Sequence, residues 1–279
     1  MMTARAAPDG SEIGPMSEIQ QARELRDFHP VACDSLARVG NANDGGYVVP
    51  LAAVKAADAL LSFGLSHDWS FERDFKAHNK GAIVHCYDHT VSLRTAFEYS
   101  IGQLPRFVVQ RKASALRKTL TWVDYMLFFR ADKTHFRQRL WRDRQSGSVT
   151  VEDAFSRLPA ECQVFVKMDI EGSEYRVLDD LLRYSRNIVA IAMEFHDVDI
   201  LPDRFAALVE KIKREFHIVH IHGNNMGGAT PSGFPIALEM TFLNKRFFSS
   251  PPPPSRLKYP VPGLDSPNHP GLPQFTFEF

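Results

Sequence analysis

The stretch from Val164 to Tyr175 reads VFVKMDIEGSEY and decides the fold class. Its residues from Val164 to Ile170 are mostly apolar, which is typical of a buried strand. The glycine at 172 marks a turn, and apolar residues from Tyr175 to Leu182 then recur at the three-to-four spacing of a helix. A buried strand that leads through an acidic turn into an amphipathic helix is the repeating unit of α/β proteins.

The same alternation of apolar runs and helical patterns continues on both sides of this stretch. A short helix is predicted over Ser17 to Phe28, and further helices are predicted near Ser70 to Asn79 and over Arg204 to Phe216. Near-continuous apolar strands separated by helices indicate a doubly wound, mostly parallel sheet. The further predicted strands are Ala59 to Leu65, Ala82 to Tyr87, Ile188 to Phe195, His217 to His222 and Ala237 to Leu243.

The bulk composition is that of an ordinary globular protein. The 279 residues are 44% apolar and 24% charged, and the formal net charge is zero, so no global field favours nucleic acid or a membrane. The cysteines Cys33, Cys86 and Cys162 are far apart and odd in number, which predicts reduced thiols rather than disulfides. No run approaches the ~18 apolar residues of a membrane helix, so we expect a cytoplasmic protein.

Four segments are predicted along the chain. Residues 1–16 are polar and are expected to be disordered, and residues 17–248 form the main domain. Residues 106–145 form a basic helical insertion within that domain, and residues 249–279 form a proline-rich tail. The insertion is either a solvated charged face, a cap for an anionic acceptor, or a contact with a membrane surface. The tail is predicted to wrap the surface in extended form, anchored by Phe275, Phe277 and Phe279.

The ends of the first two strands carry features suited to a nucleoside ligand. Gly64 and Ser66 lie in a turn before a helix, where glycine permits close backbone approach and unpaired N–H groups are available. Asp88 follows 24 residues after Gly64, near the spacing of a carboxylate that accepts ribose hydroxyls. A plain turn and a helix-capping aspartate are the alternatives at these positions.

Acidic residues crowd the ends of two later strands. Asp169, Glu171 and Glu174 follow one apolar strand, and Glu194 and His196 end the next. Stabilisation of a helix N-terminus accounts for Glu174. It accounts less well for Asp169, because a carboxylate in a buried strand costs free energy unless it is paired. Such acids can hold a cation or act as bases.

Five segments, in this order, resemble the FkbM-type family of S-adenosylmethionine-dependent O-methyltransferases. The most specific of them is the K-x-D-x-E-G-x-E pattern from Lys167 to Glu174. The family often has glutamate and proline where this chain has Asp88 and His89. The five segments are RVGNANDGGYVV (38–49), LSFGLSHDWSFE (61–72), VKMDIEGSE (166–174), HIHGNN (220–225) and LEMTFL (238–243).

The resemblance implies a fold and a methyl donor. The fold is a doubly wound, seven-stranded, Rossmann-like class I methyltransferase sheet of strand order 3-2-1-4-5-7-6, with the last strand antiparallel. The donor is S-adenosylmethionine, bound over the first two strand ends. The residues expected to bind it are Gly64, Ser66, Asp88 and Asp169.

The resemblance also implies O-methylation of a hydroxyl of a sugar, a glycan, a glycolipid or a secondary metabolite. Asp169, Glu194 and His196 are the candidate catalytic residues, and Asp169 with Glu194 can also bind a divalent cation such as magnesium. A hydrogen-bonded structural histidine is the alternative for His196 and His222. The candidate acceptor-binding residues are Glu171, His222, Asn224 and Asn225.

Two other functions compete with this one. A non-catalytic module could keep the nucleoside pocket and bind an anionic partner through its basic insertion. A nicotinamide oxidoreductase is disfavoured, because the glycine turn holds only Gly64 of the dinucleotide fingerprint. No readout motif for nucleic acid is present, so we expect a small-molecule or glycan acceptor rather than nucleic acid as the partner.

Overall fold

The computed structural model describes residues 27–110, 119–231 and 233–279. The predicted disordered segment 1–16 lies outside the described residues, as does most of the short helix predicted over Ser17 to Phe28. Residues 111–118 of the basic insertion also lie outside them. The prediction for these three segments is therefore untested.

A seven-stranded sheet forms the centre of the molecule. Its strands lie in the order β5-β4-β3-β8-β9-β11-β10, and β11 runs antiparallel to both of its neighbours. Numbered within this sheet alone, the order is 3-2-1-4-5-7-6, so the predicted fold class is confirmed. The strands are β3 (Ala59–Phe63), β4 (Ile83–Tyr87), β5 (Lys133–Phe136), β8 (Val164–Met168), β9 (Ile188–Phe195), β10 (Phe216–Ala229) and β11 (Pro235–Asn244).

Helices and two small sheets surround the central sheet. A hairpin of β1 (Leu36–Val39) and β2 (Tyr47–Pro50) precedes it, and β6 (Arg139–Leu140) pairs with β7 (Ser148–Val149) beside it. A 3₁₀ turn, Lys245–Phe247, follows β11. The helices are α1 (Leu51–Ala56), α2 (Ser70–His78), α3 (Leu93–Gln110), α4 (Thr121–Phe128), α5 (Val151–Ser156), α6 (Glu174–Leu182) and α7 (Pro202–Ile212).

The central strands are buried on both faces, but the two faces differ in chemistry. Alternate residues such as Val166 and Ile191 pack into one apolar core, and their neighbours Phe165 and Ala190 pack into a second. Toward the carboxyl ends of the strands, the second face becomes polar and carries Lys167, which is 5% exposed. Because buried polar groups are costly unless they are paired, this end of the second face is the place to look for a site.

The basic insertion is less helical than predicted. Helices α3 and α4 cover residues 106–110 and 121–128 of the insertion, but Lys133–Phe136 forms strand β5, which pairs in parallel with β4 at the edge of the sheet. Helix was therefore the wrong prediction for residues 133–136. All four residues are half-buried, so this short edge strand lacks the apolar run by which the inner strands were recognised.

The proline-rich tail is extended and follows the edge strand β10. It begins alongside the N-terminal segment, where the Ala32 N–H donates to the Pro253 carbonyl over 2.8 Å. Its last phenylalanines pack against the first apolar core, and Phe277 is buried there. The phenylalanine anchors predicted from the sequence therefore contact the core.

Candidate functional site

The turn after β3 lies directly against the turn after β8. Gly64 has a φ of +84°, and a Cβ atom there would lie 1.7 Å from the backbone oxygen of Asp169. The Asp169 N–H donates to the Phe63 carbonyl over 2.9 Å, and the Lys167 ammonium donates to the Gly64 carbonyl over 2.5 Å. The two most distinctive sequence motifs therefore meet at one point, and only glycine fits there.

The Asp88 side chain orders the glycine turn. One carboxylate oxygen accepts hydrogen bonds from the Leu65 and Ser66 N–H groups at 2.9 and 3.0 Å, and the other accepts two from Thr90. Burial raises the pKa of Asp88, but these hydrogen bonds outweigh it and leave the pKa below its ordinary value. All four lone-pair positions of the carboxylate are thus used within the protein. The predicted ribose contact of Asp88 remains a prediction.

Four acidic residues surround His196 just beyond the ends of β8 and β9. Its Nδ1 atom lies 3.2 Å from Glu174, and its Nε2 atom lies 3.5 Å from Glu171, 3.8 Å from Asp169 and 4.0 Å from Glu194. Burial lowers the pKa of His196, but the Glu174 hydrogen bond and the surrounding negative charges raise it to about 9. The imidazole is therefore a cation near neutral pH, which does not suit the predicted role of a base.

A row of polar side chains crosses four adjacent strands on the second face. Strand register pairs Glu194 of β9 with Glu239 of β11 and Glu239 with His222 of β10, and it brings Asp169 beside Glu194. We call Asp169, Glu194, Glu239 and His222 the polar row. The sequence predictions included three of its members and missed Glu239. The signal for Glu239 was an acid inside the apolar run of β11, the same feature that marked Asp169.

The two glutamates of the polar row resist ionisation. Glu194 is 4% exposed, and burial together with the Asp169 charge raises its pKa to about 8. Burial and the Glu194 charge likewise raise the pKa of Glu239 well above its usual range. Each is held by an amide: Asn224 donates to Glu194 over 2.7 Å, and Asn268 of the tail donates to Glu239 over 2.6 Å.

The three predicted acceptor residues on β10 differ in what they contact. Asn224 reaches Glu194 directly. His222 Nε2 lies 3.2 Å from Asn268 Oδ1, so this histidine faces the tail. Asn225 holds the tail through backbone groups, since its side chain donates to the His269 carbonyl and accepts from the His269 N–H. Of the three, the structure brings only Asn224 into contact with a candidate catalytic residue.

The hairpin of β1 and β2 covers the polar row. Burial and the charges of Asp169 and Glu194 raise the pKa of the Tyr47 phenol well above its usual range, and the pKa of Asp44 is raised by burial and by Asp169. The hairpin is fixed in place where the Thr241 hydroxyl donates to the Val48 carbonyl over 2.7 Å. The tyrosine and the aspartate of the DGGY turn therefore belong to the site.

A buried lysine balances part of this negative charge. Burial lowers the pKa of Lys167, but Asp169 and Glu72 outweigh it, and the net shift is upward. Glu72 of α2 is itself buried, which raises its pKa, and it accepts a hydrogen bond of 2.5 Å from Ser62. Lys167 thus ties the glycine turn to the acidic site. Both residues lie in segments that resemble the FkbM-type family, but the sequence analysis assigned neither of them a role.

The geometry changes the expected set of metal ligands. Among the described residues, one group can hold an ion: oxygen or nitrogen atoms of Asp169, Glu171 and His196 lie within 4.8 Å of one another. The predicted pair was Asp169 with Glu194. Magnesium prefers an all-oxygen set, and His196 would first have to lose its proton. These residues therefore do not fit magnesium well.

An open surface cavity of about 620 Å³ lies beside the Asp88 loop. It opens at the first turn of α3 and reaches the residue after β5, so it adjoins the carboxyl ends of β4 and β5. A volume of this size is within the range of small-molecule sites. Its lining residues are Ser92, Leu93, Arg94, Thr95, Glu98 and Arg137.

Comparisons with known proteins add likenesses of fold. No protein-family model matches the chain, and no curated protein matches its sequence. A solved fibrillarin/Nop5p complex aligns at TM-score 0.37 and 10% identity, over 68% of this chain and 73% of that one. A solved structure described as a predicted O-methyltransferase from Agrobacterium tumefaciens aligns at TM-score 0.37 and 15% identity, over 70% of this chain and 79% of that one.

A third likeness is to the plantazolicin methyltransferase BpumL in complex with SAH. It has a TM-score of 0.32 and 7% identity, over 70% of this chain and 82% of that one. At such low scores these likenesses decide nothing. The fold assignment rests on the strand order, which is that of the Rossmann-like class I methyltransferase sheet.

Proposed function

We propose that this chain is an S-adenosylmethionine-dependent O-methyltransferase. The observation that carries the proposal is the contact between the Gly64 turn and Asp169 at the carboxyl ends of β3 and β8. In open α/β sheets, ligands bind in the crevice at this end of the strands. The resemblance of the two motifs to FkbM-type enzymes points to the same ligand.

The residues present fit a cationic nucleoside donor. Asp169 and Asp44 place carboxylates near the turn, which favours a ligand carrying sulfonium and ammonium charges. The cavity beside the Asp88 loop has room for a nucleobase. We infer that Gly64 and Ser66 line the methionine part of the donor, and that the cavity takes its base. When bound, the donor supplies an electrophilic methyl group.

The acceptor hydroxyl needs a base, and Glu194 is the residue best placed to act as one. It sits in the middle of the polar row, and Asn224 fixes one of its oxygens. A general base is most effective when its pKa lies near the working pH, and that of Glu194 is about 8. His196 remains protonated beside it and balances the negative charge. No step of this mechanism requires a metal.

The acceptor is proposed to be a hydroxyl of a sugar, a glycan or a secondary metabolite. The FkbM-type resemblance supports this class. The hydrogen-bonding side chains around the polar row also support it, because carboxylates and amides commonly bind sugar hydroxyls. The exposed carboxylate of Glu171, at the rim of the site, is the proposed first contact.

A labelled-donor assay over a panel of hydroxylated acceptors tests the proposal. Donor binding is measured first by calorimetry, with the donor and with its demethylated product. The wild type should bind both and transfer label, whereas Asp169→Asn should weaken binding and transfer. Asp179→Asn, which changes an exposed acid on α6, is the matched control and should behave as wild type. Donor binding without transfer to any acceptor would instead favour a non-catalytic module.

A further inference from the structure

The α3–α4 region exposes more large apolar side chains than the rest of the described chain. Six large apolar side chains there are between 44% and 54% exposed. They make up most of the ten such side chains among the described residues, so they form a concentration rather than a scatter. We call them the α3–α4 surface: Leu93, Phe97, Ile101, Leu120, Met126 and Leu127.

Helix α3 exposes large apolar side chains over its first three turns. Leu93, Phe97 and Ile101 recur at every fourth residue and form one exposed stripe of about 12 Å. The stripe flanks the packed face of the helix, which buries Ala96, Ser100 and Gln103. An amphipathic helix of a globular domain normally buries its large apolar residues. In the described part of the chain, the three residues of this stripe stay about half exposed.

The second helix extends the stripe. The Phe97 and Trp122 rings meet edge to face with centroids 5.8 Å apart, so α3 and α4 hold a fixed relative orientation at this point. Met126 and Leu127 are exposed on α4, one helical turn beyond Trp122. The apolar surface therefore spans two packed helices and is not a single frayed segment.

Positive charge accompanies this surface. Residues 106–145 contain eleven lysines and arginines and three aspartates, in a chain whose net charge is zero. Among the described residues, Arg130 follows α4 and is exposed, whereas the exposed Arg94 beside Leu93 is ion-paired with Glu98 at 2.8 Å. Exposed apolar residues beside basic ones are the composition of helices that lie in the interface of an anionic membrane.

We propose that the α3–α4 surface binds the interface of a lipid bilayer that carries anionic headgroups. The surface would insert Phe97, Ile101 and Leu127 among the acyl chains while basic residues contact the headgroups. The proposal concerns where the protein resides rather than what it transfers. Leu93, at one end of the stripe, also lines the cavity beside the Asp88 loop, whereas Phe97, Ile101 and Leu127 are not among the lining residues of that cavity. The proposal gives the exposed apolar stripe of α3 a physical reason.

Sedimentation of the full chain with vesicles tests this proposal. Vesicles are made of phosphatidylcholine alone or with phosphatidylglycerol added. Wild-type protein should sediment with the anionic vesicles, and the bound fraction should fall as salt is raised. The double variant Ile101→Asp, Leu127→Asp should lose about ten-fold in vesicle affinity, because it places two charges in the apolar stripe.

The matched control is Leu257→Asp, which places a charge on an equally exposed leucine of the C-terminal tail. It should bind vesicles as the wild type does. Equal binding by the double variant and the wild type, or no binding of the wild type to either kind of vesicle, would overturn the proposal. So would self-association of the wild type that the double variant abolishes, since the surface would then be an interface between copies. Circular dichroism and thermal unfolding show whether each variant is folded.

Discussion

The proposed donor side and the proposed acceptor side of the candidate site are held together by different kinds of contact. On the donor side, backbone N–H groups hold two neighbouring turns together: that of Gly64 donates to the Tyr87 carbonyl, and that of Ser66 donates to the Asp88 carboxylate. On the acceptor side, Glu194 and Glu239 are connected through side chains from strands and from the distant tail. Backbone contacts fix a shape, whereas side-chain contacts among buried acids fix protonation states. The donor side should therefore respond to steric changes and the acceptor side to changes of charge.

The largest effect is expected for Gly64→Ala, which tests the steric character of the donor side. A φ of +84° costs alanine about 1–2 kcal/mol, and the clash with the Asp169 oxygen adds about 1–3 kcal/mol. We expect a loss of unfolding free energy of about 3 kcal/mol and loss of donor binding, measured by urea unfolding and calorimetry. Gly263→Ala is the matched control, with a φ of +81° and no atom within 4 Å. Equal losses in the two variants would show that the close contact with Asp169 contributes nothing.

The next effect is expected for Glu194→Gln, which tests the charge character of the acceptor side. Glutamine keeps the shape and the amide contact but cannot accept the acceptor's proton. Methyl transfer should fall by about 10²-fold or more, with donor affinity unchanged. Steady-state kinetics and calorimetry separate the two quantities. A parallel loss of donor affinity would place Glu194 on the donor side and would remove the distinction between the two sides.

Smaller than these is the expected dependence of stability on pH. The folded-state pKa values of Glu194, about 8, and His196, about 9, both lie above their ordinary values of 4.5 and 6.5. Folding therefore favours the protonated forms, and this contribution is lost as pH rises through the folded-state values. The free energy of unfolding should be lower at about pH 9 than at about pH 6, as measured by urea unfolding.

The Glu194→Gln variant provides the control for this pH dependence, because it removes one of the two groups. It should show a smaller fall in stability over the same range. Asp153→Asn is a matched variant outside the site. The folded-state pKa of Asp153 is lowered to about 2, so the contribution of this carboxylate to stability is lost only in acid. A wild-type protein that gains stability from about pH 6 to about pH 9 would contradict the protonation states assigned to the acceptor side.

The difference between the two sides also explains what could be read from the sequence. Gly64 and Asp88 lie in turns directly after their own strands, so their spacing in the sequence predicted them as candidate site residues. The seven-stranded order was implied by the resemblance to the FkbM-type family and is confirmed by the strand pairing. Glu239 reaches the site because strand register pairs it with Glu194. Asn268 reaches the site because the tail folds back onto β10, where Asn268 contacts His222, 46 positions earlier in the sequence. Nothing in the local pattern shows such pairings. The edge strand β5 was missed because its four residues are only half-buried.

A further prediction sharpens the role of the tail on the acceptor side. Asn268→Ala removes the donor to Glu239 and the partner of His222, both buried. Stability should fall by about 1–3 kcal/mol, and the pH profile of methyl transfer should shift because Glu239 loses a hydrogen bond. Asn79→Ala is the control: this side chain bonds the Val54 and Ala57 carbonyls, so it should cost stability without moving the profile. An unmoved profile for Asn268→Ala would make the tail a purely structural support.

The smallest effect is expected on adding a chelator. The possible ligand group on the acceptor side contains His196, whose pKa of about 9 keeps it protonated near neutral pH, and magnesium favours oxygen ligands. Methyl transfer should therefore be unchanged by excess EDTA. The assay is the labelled-donor reaction with and without chelator, followed by restoration with magnesium or manganese. If the chelator abolished activity and either ion restored it, Asp169, Glu171 and His196 would bind a cation. That bound cation, rather than the imidazolium of His196, would then balance the negative charge of the acceptor side.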